Sequence, residues 1–520
     1  MPAVAVQRRS FRVWLLQVLG VAALATGVFW LLYAIDSPPN ALGYYFDFDP
    51  SEITDATASL AGLIAAVFGI VITVVSIILQ LSASRFTGVT HLFFADRLNL
   101  VLMTYYIVVC IFGVWLSLAL HHDHAPTLAL GAMLCLDTLG LALMVPYFGY
   151  VFWFLEPVNI VSRIRRGALA AARRGAEVND EAACFQEQSH ALSGLEQLTD
   201  ISTNSISGKD KIIASGAVDA LKDFALSYAE LKTQAPEQWF RIGTSIRSNP
   251  DFVAMDPESL TDLESRRTWV EWKVLRQCLG IYNEALTQMR DINYLIAIDT
   301  RYIGERALAA GDVEALRLVH RFMNSYLRVT INAKDVRTAY NVLNQYRLLV
   351  EAVLRAGQGE LALEGVGYMK YYGHVSFDQQ LTFVTETVAY DVSALCEIAS
   401  ELRSPAEAAL LKEFLDLDRP SLNSQQEKAL LGVRKAQVKL ACYYLTQAEE
   451  GKARTIAADM SQEPRDRLLT IRRQLEGVRS KDFWEIIDRG HNFEFMRDED
   501  RSKLPAFFAM FDDSQPLIAS

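Results

Sequence analysis

The sequence predicts an all-α fold, in which a four-helix transmembrane domain precedes a cytoplasmic α-helical bundle of stacked hairpins. Four long apolar runs occupy residues 11–33, 56–81, 98–120 and 128–154. Each is long enough to cross a bilayer core of about 30 Å as a helix, which takes roughly 20 residues. From Val158 onward, apolar residues recur at spacings of three and four with few β-branched alternations, which indicates packed helices.

These patterns divide the chain into a transmembrane domain over residues 1–157, a cytoplasmic helical domain over 158–511 and a disordered tail over 512–520. Arginines lie around the start of the first run, between the second and third runs, and after the fourth, whereas the alternate loops contain no arginine or lysine. Because positively charged loops stay on the cytoplasmic side, both termini are predicted to be cytoplasmic.

Composition excludes several functional classes. A net charge of −11 argues against a nucleic-acid partner, because neutralising phosphates needs a basic surface. The chain contains no P-loop, dinucleotide-binding, HExxH or GxSxG motif, and no cluster of acid, base and nucleophile. We therefore expect neither an enzyme nor a bound cofactor.

One face of the second run is small or polar from end to end. We call it the small-polar face, and it comprises Ser59, Gly62, Ala66, Gly69, Thr73, Ser76, Gln80 and Ser84. Small residues let helices pack closely, so the face could be a packing surface within one subunit. Alternatively, copies of this helix could surround a water-filled path in a homo-oligomer. Gln80 favours the path because packing does not need so large a polar side chain.

Asp55 lies four residues before the small-polar face, at the predicted outer end of the second run. An acidic ring at this position would concentrate cations at the mouth of a path. A carboxylate at a helix start can instead cap the helix by accepting backbone N–H bonds, so the two hypotheses remain open together.

Asp137 falls near the middle of the fourth run, where an ionised carboxylate is costly and where acids are functional candidates. It could be a protonated acid that is hydrogen-bonded to Tyr106 or Thr73, or it could take part in ion or proton movement.

The short turn between the third and fourth runs is rich in histidine. A solvated turn is the favoured interpretation, although this composition could also bind a divalent metal or respond to external pH. No metal site is predicted, and the weak candidates are His121, His122, Asp123 and His124.

Capping residues mark helix starts in the second part of the chain. Asp312 and Asp335 each precede an amphipathic stretch, so adjacent antiparallel helices are predicted there. The Ser/Asn/Gly-rich stretch Ile201–Asp210 predicts a long loop. No fixed repeat period is evident from the residues.

The end of the second run, Thr73-Val-Val-Ser76-Ile-Ile-Leu-Gln80-Leu-Ser82-Ala-Ser84-Arg85-Phe86, resembles a bacterial family of predicted membrane proteins called domain of unknown function 2254. In that family, a similar span ends in a Leu-Gln-Leu-small-Ser-x-Phe pattern. A second similarity covers Ile331–Ala339, where the family's Asp-Pro is absent. The resemblance implies a location in the bacterial inner membrane and implies no activity.

Two functional hypotheses follow. The first is a channel-like homo-oligomer in the lipid bilayer, with a cation pathway lined by the second span and a cytoplasmic regulatory domain. The second is a membrane-anchored scaffold or sensor, whose helical domain binds a cytoplasmic protein partner or ligand and which conducts no ions.

Overall fold

The computed structural model describes residues 20, 23–35, 50–83, 86, 88–120, 126–178, 180–418, 423–482, 489–490 and 492–512. All the regular elements in these residues are helices, which confirms the predicted all-α class. The chain divides into two compact units, Met1–Arg163 and Ile164–Ser520. Of the predicted tail, only Asp512 belongs to the described residues.

Among its described residues, the first unit contains three helices that are long and apolar enough to cross a membrane. The helices of this unit are α1 (Ala23–Ile35), α2 (Pro50–Ala83), α3 (Val89–Phe94), α4 (Arg97–Ala119) and α5 (Thr127–Leu155). The candidate spans are α4, α5 and the part of α2 from Ile53 onward. The described part of α1 is shorter than a span requires, and the rest of the first predicted run, apart from Gly20, lies outside the described residues.

The three candidate spans pack against one another, since α2 contacts both α4 and α5 and α4 contacts α5. Their contact faces bury Ile64, Val71 and Met133 almost completely. Gly113 allows the closest approach, because a Cβ atom there would lie 2.8 Å from the Met133 Cε atom and 3.0 Å from the Ala61 Cβ atom. The side chains of this interface are therefore interlocked in one subunit.

The next helix, α6 (Pro157–Glu177), crosses the boundary between the two units. The helices after it are α7 (Glu181–Ser207), α8 (Lys211–Lys232), α9 (Glu237–Phe240), α10 (Thr244–Arg247), α11 (Pro250–Val253), α12 (Pro257–Ser265), α13 (Trp269–Gln288) and α14 (Arg290–Ala309). The predicted loop over 201–210 is wrong for residues 201–207, because they complete α7 and bury Ile201, Ser202 and Ser205.

The later helices are α15 (Val313–Asn332), α16 (Val336–Arg355), α17 (Gly359–Asp378), α18 (Thr382–Glu401), α19 (Glu407–Leu415), α20 (Ser424–Thr446), α21 (Glu450–Asp459), α22 (Arg465–Gly477), α23 (Asp498–Arg501) and α24 (Leu504–Asp512). As the sequence predicts, Asp312 caps α15 and Asp335 caps α16, with carboxylate oxygens 3.0 and 3.1 Å from backbone N–H donors of the first turn.

A fixed period of 23 residues runs through α14–α18, contrary to the sequence-based expectation. These helices are each 20 residues long and begin at residues 290, 313, 336, 359 and 382. Each is followed by the same turn, in which one residue has a positive φ and the next donates its N–H to a carbonyl five residues earlier. The positive-φ positions are Gly311, Lys334, Gly357, Gln380 and Arg403.

Helices of this unit form two layers. Helices α8, α14, α16, α18 and α20 contact one another in that order, and α7, α13, α15, α17 and α19 do the same. Consecutive helices from α13 to α19 also touch, so each of the helices α14–α18 packs between its neighbours in the chain and in its layer. Repeating helices whose contacts are confined to near neighbours are typical of α-solenoids.

Candidate functional site

The small-polar face of α2 is exposed in the subunit. Its described members, from Ser59 to Gln80, are all exposed, and Ser84 lies outside the described residues. The opposite face packs against α4 and α5 and buries Ile64, Val71 and Val75. Since successive helical residues are rotated by about 100°, Gly62 points about 200° away from Ile64. The small-polar face therefore lies opposite the face that packs within the subunit.

The two glycines of this face have open space around them. A Cβ atom added to Gly62 or Gly69 would meet nothing within 4 Å. The Thr73 hydroxyl donates a 2.8 Å hydrogen bond to the Gly69 carbonyl on its own helix, so it does not link α2 to another described helix. Among the described residues of one subunit, these positions therefore show no close packing against another helix.

Asp55 and Gln80 lie towards the two ends of α2. The candidate span has 31 residues, which makes it about 46 Å long at 1.5 Å per residue, against an apolar core of about 30 Å. A centred α2 would therefore place both side chains, which are exposed, at the two interfaces rather than in the apolar core. The capping role proposed for Asp55 is wrong, because α2 begins five residues earlier at Pro50.

Asp137 is buried, with 3% of its surface exposed, and neither carboxylate oxygen has a hydrogen-bond partner among the described residues. The partners expected from sequence are engaged elsewhere, because the Tyr106 hydroxyl donates to the Gly140 carbonyl at 2.8 Å and Thr73 bonds within α2. The carboxylate does lie within electrostatic range of Tyr105 and Cys110 on α4.

Asp137 and the small-polar face lie on different sides of α2. Gly140, one turn after Asp137, approaches Ile64 on the buried face of α2, where an added Cβ would lie 2.9 Å from the Ile64 Cδ1 atom. The small-polar face points away from this interface. The structure therefore does not bring the predicted intramembrane acid and the predicted pore-lining residues together.

The histidine-rich turn cannot be placed beside these features, because His121, His122, Asp123 and His124 lie outside the described residues. Within the described part of the chain, no group of three or more histidine, cysteine, aspartate and glutamate side chains is arranged to hold a metal ion.

A partly buried polar cluster joins the ends of α4 and α5 that lie next to α3 and α6. We call it the Asp96 cluster, and it comprises Asp96, Asn99, Tyr147, Tyr150 and Arg163. Asp96 caps α4 by accepting the Leu98 and Asn99 N–H groups at 3.2 and 3.3 Å. Its carboxylate also accepts a hydrogen bond from the Tyr150 hydroxyl and pairs with the Arg163 guanidinium at 2.8 Å.

The remaining members of the Asp96 cluster connect it to α3. The Asn99 amide donates to the Phe93 carbonyl at 3.2 Å and accepts from the Tyr147 hydroxyl. The Arg163 guanidinium lies 4.0 Å above the Phe154 ring, a distance that allows a cation–π interaction. The Asp96 carboxylate and the Asn99 amide thus connect α3, α4, α5 and α6 at this end of the unit.

Electrostatics favour an ionised Asp96. Burial raises the pKa of its carboxyl group, but hydrogen bonds from Tyr150, Arg163 and the Asn99 backbone outweigh burial and leave the pKa below its ordinary value. The sequence alone does not predict this cluster, since Tyr150 and Arg163 lie 54 and 67 residues from Asp96. The available signals were an aspartate directly before an apolar run and an asparagine near its start.

Buried charges in the second unit are neutralised within the helix stack. The Lys273 side chain is 0% exposed and lies 2.7 Å from Glu196 and 2.6 Å from Asp251. Such groups are paired and hydrogen-bonded, as buried charges must be. The pairs of Lys273 join α13 to α7 and α11.

Comparison with known families supports the membrane assignment. Residues 8–230 match the family described as Predicted membrane protein (DUF2254). This match confirms the resemblance drawn from the end of α2. The similarity at Ile331–Ala339 lies outside the matched residues. Comparison with curated proteins and with solved structures gave no match. Together with the three apolar helices, the family match makes this a multi-pass membrane protein.

Proposed function

We propose that the protein is a channel-like homo-oligomer of the bacterial inner membrane, with both termini in the cytoplasm and an ion pathway lined by α2. The observation that supports this proposal is the exposure of the small-polar face opposite the face packed within the subunit. A polar helix face is costly against lipid, so contact with other copies or with water would relieve that cost. Cations are the expected ions, because Asp55 would line one mouth.

In this proposal, Thr73 and Ser76 replace part of the hydration of a passing ion, and Gln80 lies at the cytoplasmic mouth. Asp137 lies outside the path and would influence it only through the packing of α4 and α5 against α2. The second unit would act as the regulatory domain, connected to the spans through α6.

Current through a planar bilayer tests conduction directly. The purified full chain is compared with Asp55→Asn and Gln80→Leu at low and high salt. Neutralising an acidic mouth should lower the current at low salt and have less effect at high salt, because the Debye length shortens from about 10 Å at 0.1 M to about 3 Å at 1 M. Leu81→Ala is the matched control, because Leu81 is 67% exposed and lies outside the small-polar face.

Silence of the wild-type protein over a range of voltages and divalent-ion concentrations would refute conduction. Equal currents in the wild type, Asp55→Asn and Gln80→Leu would refute the role of α2 and would point to a pore elsewhere in the protein.

Assembly has a separate test. Gly69→Leu should leave the subunit folded, because the added side chain meets open space, but it should obstruct contact between copies of α2. Native mass spectrometry of the full chain should then show fewer subunits per particle. Ala132→Leu introduces the same side chain at an exposed position of α5 and should preserve the wild-type stoichiometry. An oligomer unchanged by Gly69→Leu would exclude the small-polar face as the interface.

The alternative proposal is a membrane-anchored scaffold or sensor that binds a cytoplasmic protein partner. Its support is the two-layer helix stack, because α-solenoids present extended surfaces that proteins often use for binding. A photo-crosslinker at Tyr371, which is 51% exposed on α17, should then capture one defined protein repeatedly in membranes. The same probe at Leu469, which is 45% exposed on α22, is the control for random capture.

A further inference from the structure

An apolar cavity of about 460 Å³ lies between α4 and α5 in the first unit. Its aliphatic lining comes from Leu98, Val101 and Leu102 on α4 and from Leu143 and Pro146 on α5. It opens at the surface of the candidate spans, since Leu98 is 42% and Val101 66% exposed. In a multi-pass membrane protein, an apolar cleft on the side of two spans faces the lipid.

The cavity has one charged end. Arg97, the first residue of α4, is exposed and contributes to the lining. Among the described residues, it makes no ion pair, whereas the nearby Arg163 is paired with Asp96. A cation at the end of an apolar cleft, at the level where a span begins, matches the position of a phospholipid headgroup.

The two tyrosines of the cavity do not make it polar. The Tyr147 hydroxyl donates to Asn99 and the Tyr150 hydroxyl donates to Asp96, so both hydroxyls are satisfied within the Asp96 cluster. Their rings remain to line the cleft. The lining from Leu143 to Tyr150 extends over eight residues of helix, which is about 10 Å along the axis.

We propose that this cleft is a binding site for one anionic phospholipid, with an acyl chain between α4 and α5 and the phosphate paired with Arg97. The combination of an apolar cleft and a free cation selects this occupant. A helix of a protein partner would need a wider groove, and a soluble anion would gain nothing from the aliphatic lining. Because Tyr147 and Tyr150 belong to both features, the bound lipid would support the Asp96 cluster.

Native mass spectrometry of the detergent-purified full chain can measure this binding. The probes are phosphatidylglycerol, which is anionic, and phosphatidylcholine of the same acyl length. We expect one retained phosphatidylglycerol per chain and weaker retention of phosphatidylcholine. Arg97→Gln should weaken phosphatidylglycerol binding about fivefold, because one basic residue near anionic lipid contributes roughly 1 kcal/mol. Arg97→Lys should preserve binding, because it keeps the positive charge.

A substitution that fills the cleft with a large side chain tests the binding of the acyl chain separately from the binding of the phosphate. Val101→Trp should abolish retention of the lipid, whereas Val108→Trp should not, because Val108 is 54% exposed on the same helix and does not line the cavity. Equal retention of both lipids, or retention that survives both Arg97→Gln and Val101→Trp, would overturn the proposal. Glycerol phosphate without acyl chains should not compete, and competition at similar concentration would show an anion site instead.

Discussion

Replacing His320 by leucine is expected to remove an acid-induced loss of stability in the second unit. The imidazole is fully buried in α15, and neither ring nitrogen has a hydrogen-bond partner among the described residues. Its ring lies 5.6 Å from the Tyr346 ring and fits against Gly365, where an added Cβ would lie 3.4 Å from the His320 Cε1 atom. No solvent reaches the ring in the folded state.

Burial lowers the pKa of His320 from 6.5 to about 4, with Glu364 opposing and Arg317 reinforcing the change. The unfolded chain therefore takes up a proton near pH 6.5 that the folded protein takes up only near pH 4. Stability is lost as the pH falls through this window. At pH 5 the loss is about 2 kcal/mol, and it approaches about 3 kcal/mol at lower pH.

Other buried groups change stability in the opposite direction. Burial raises the pKa of Asp299 and Asp418 to about 7. Their folded forms gain protons before their unfolded forms do, so acidification stabilises the protein through them. The effect of His320 must therefore be measured as the difference between variant and wild type, in which these contributions cancel.

Thermal unfolding of the full chain in detergent at pH 7.5 and pH 5 gives this difference. The second unit has roughly 350 residues, and at about 2.1 cal/mol/K per residue a loss of 2 kcal/mol corresponds to about 3 °C in Tm. Between pH 7.5 and pH 5, the Tm of the wild type should fall by about 3 °C relative to the Tm of His320→Leu. His190→Leu is the matched control, because the His190 side chain is 54% exposed. Parallel Tm changes in His320→Leu and wild type would refute the argument from burial.

Two further predictions concern the same unit. Asp299→Asn should raise Tm at pH 8 and have a smaller effect towards pH 5. The reason is that the buried carboxylate lowers stability once it ionises, even beside Lys222. An equal change in Tm at both pH values would contradict this prediction. Gly175→Ala should lower stability by about 1–3 kcal/mol in chemical denaturation, since the added methyl group would overlap the buried Trp239 ring. Gly216→Ala, on the open surface of α8, should instead gain up to about 1 kcal/mol, and matching losses in the two alanine variants would contradict the packing argument.

The bounds of three membrane spans could be predicted closely from the sequence, because the length and apolarity of a run of residues are enough to define a span. The predicted runs 56–81, 98–120 and 128–154 correspond to Ile53–Ala83, Arg97–Ala119 and Thr127–Leu155. The same rule could not find the Asp96 cluster, whose contacts depend on how the ends of α3, α4, α5 and α6 meet. Hydropathy indicates which residues avoid water, but it does not indicate which polar side chains contact each other when they are 48 to 67 residues apart in the chain.

The period of 23 residues escaped prediction for a different reason. Five successive turns share one backbone conformation, yet the position with positive φ is glycine only at Gly311 and Gly357 and is occupied by lysine, glutamine or arginine in the others. A left-handed conformation is costly for these residues, so the turn must be imposed by the packing of the helices on either side. The repeat is therefore a property of the layers and their spacing, and the local sequence does not encode it.

The small-polar face illustrates the limit of a periodicity argument. The residues on one face of α2 can be identified from spacing alone, and so can the apolar residues opposite them. Spacing cannot decide which of the two faces packs within the subunit, because both small and apolar faces can bury well against a helix. The structure buries the apolar face, with Ile64 and Val71 against α4 and α5, and leaves Gly62 and Gly69 open. Packing among the described residues of one subunit therefore does not account for the small-polar face. Gly69→Leu distinguishes the two remaining explanations, because it should disrupt an oligomer held by contact between copies of α2 but should have no such effect if the face is exposed to lipid.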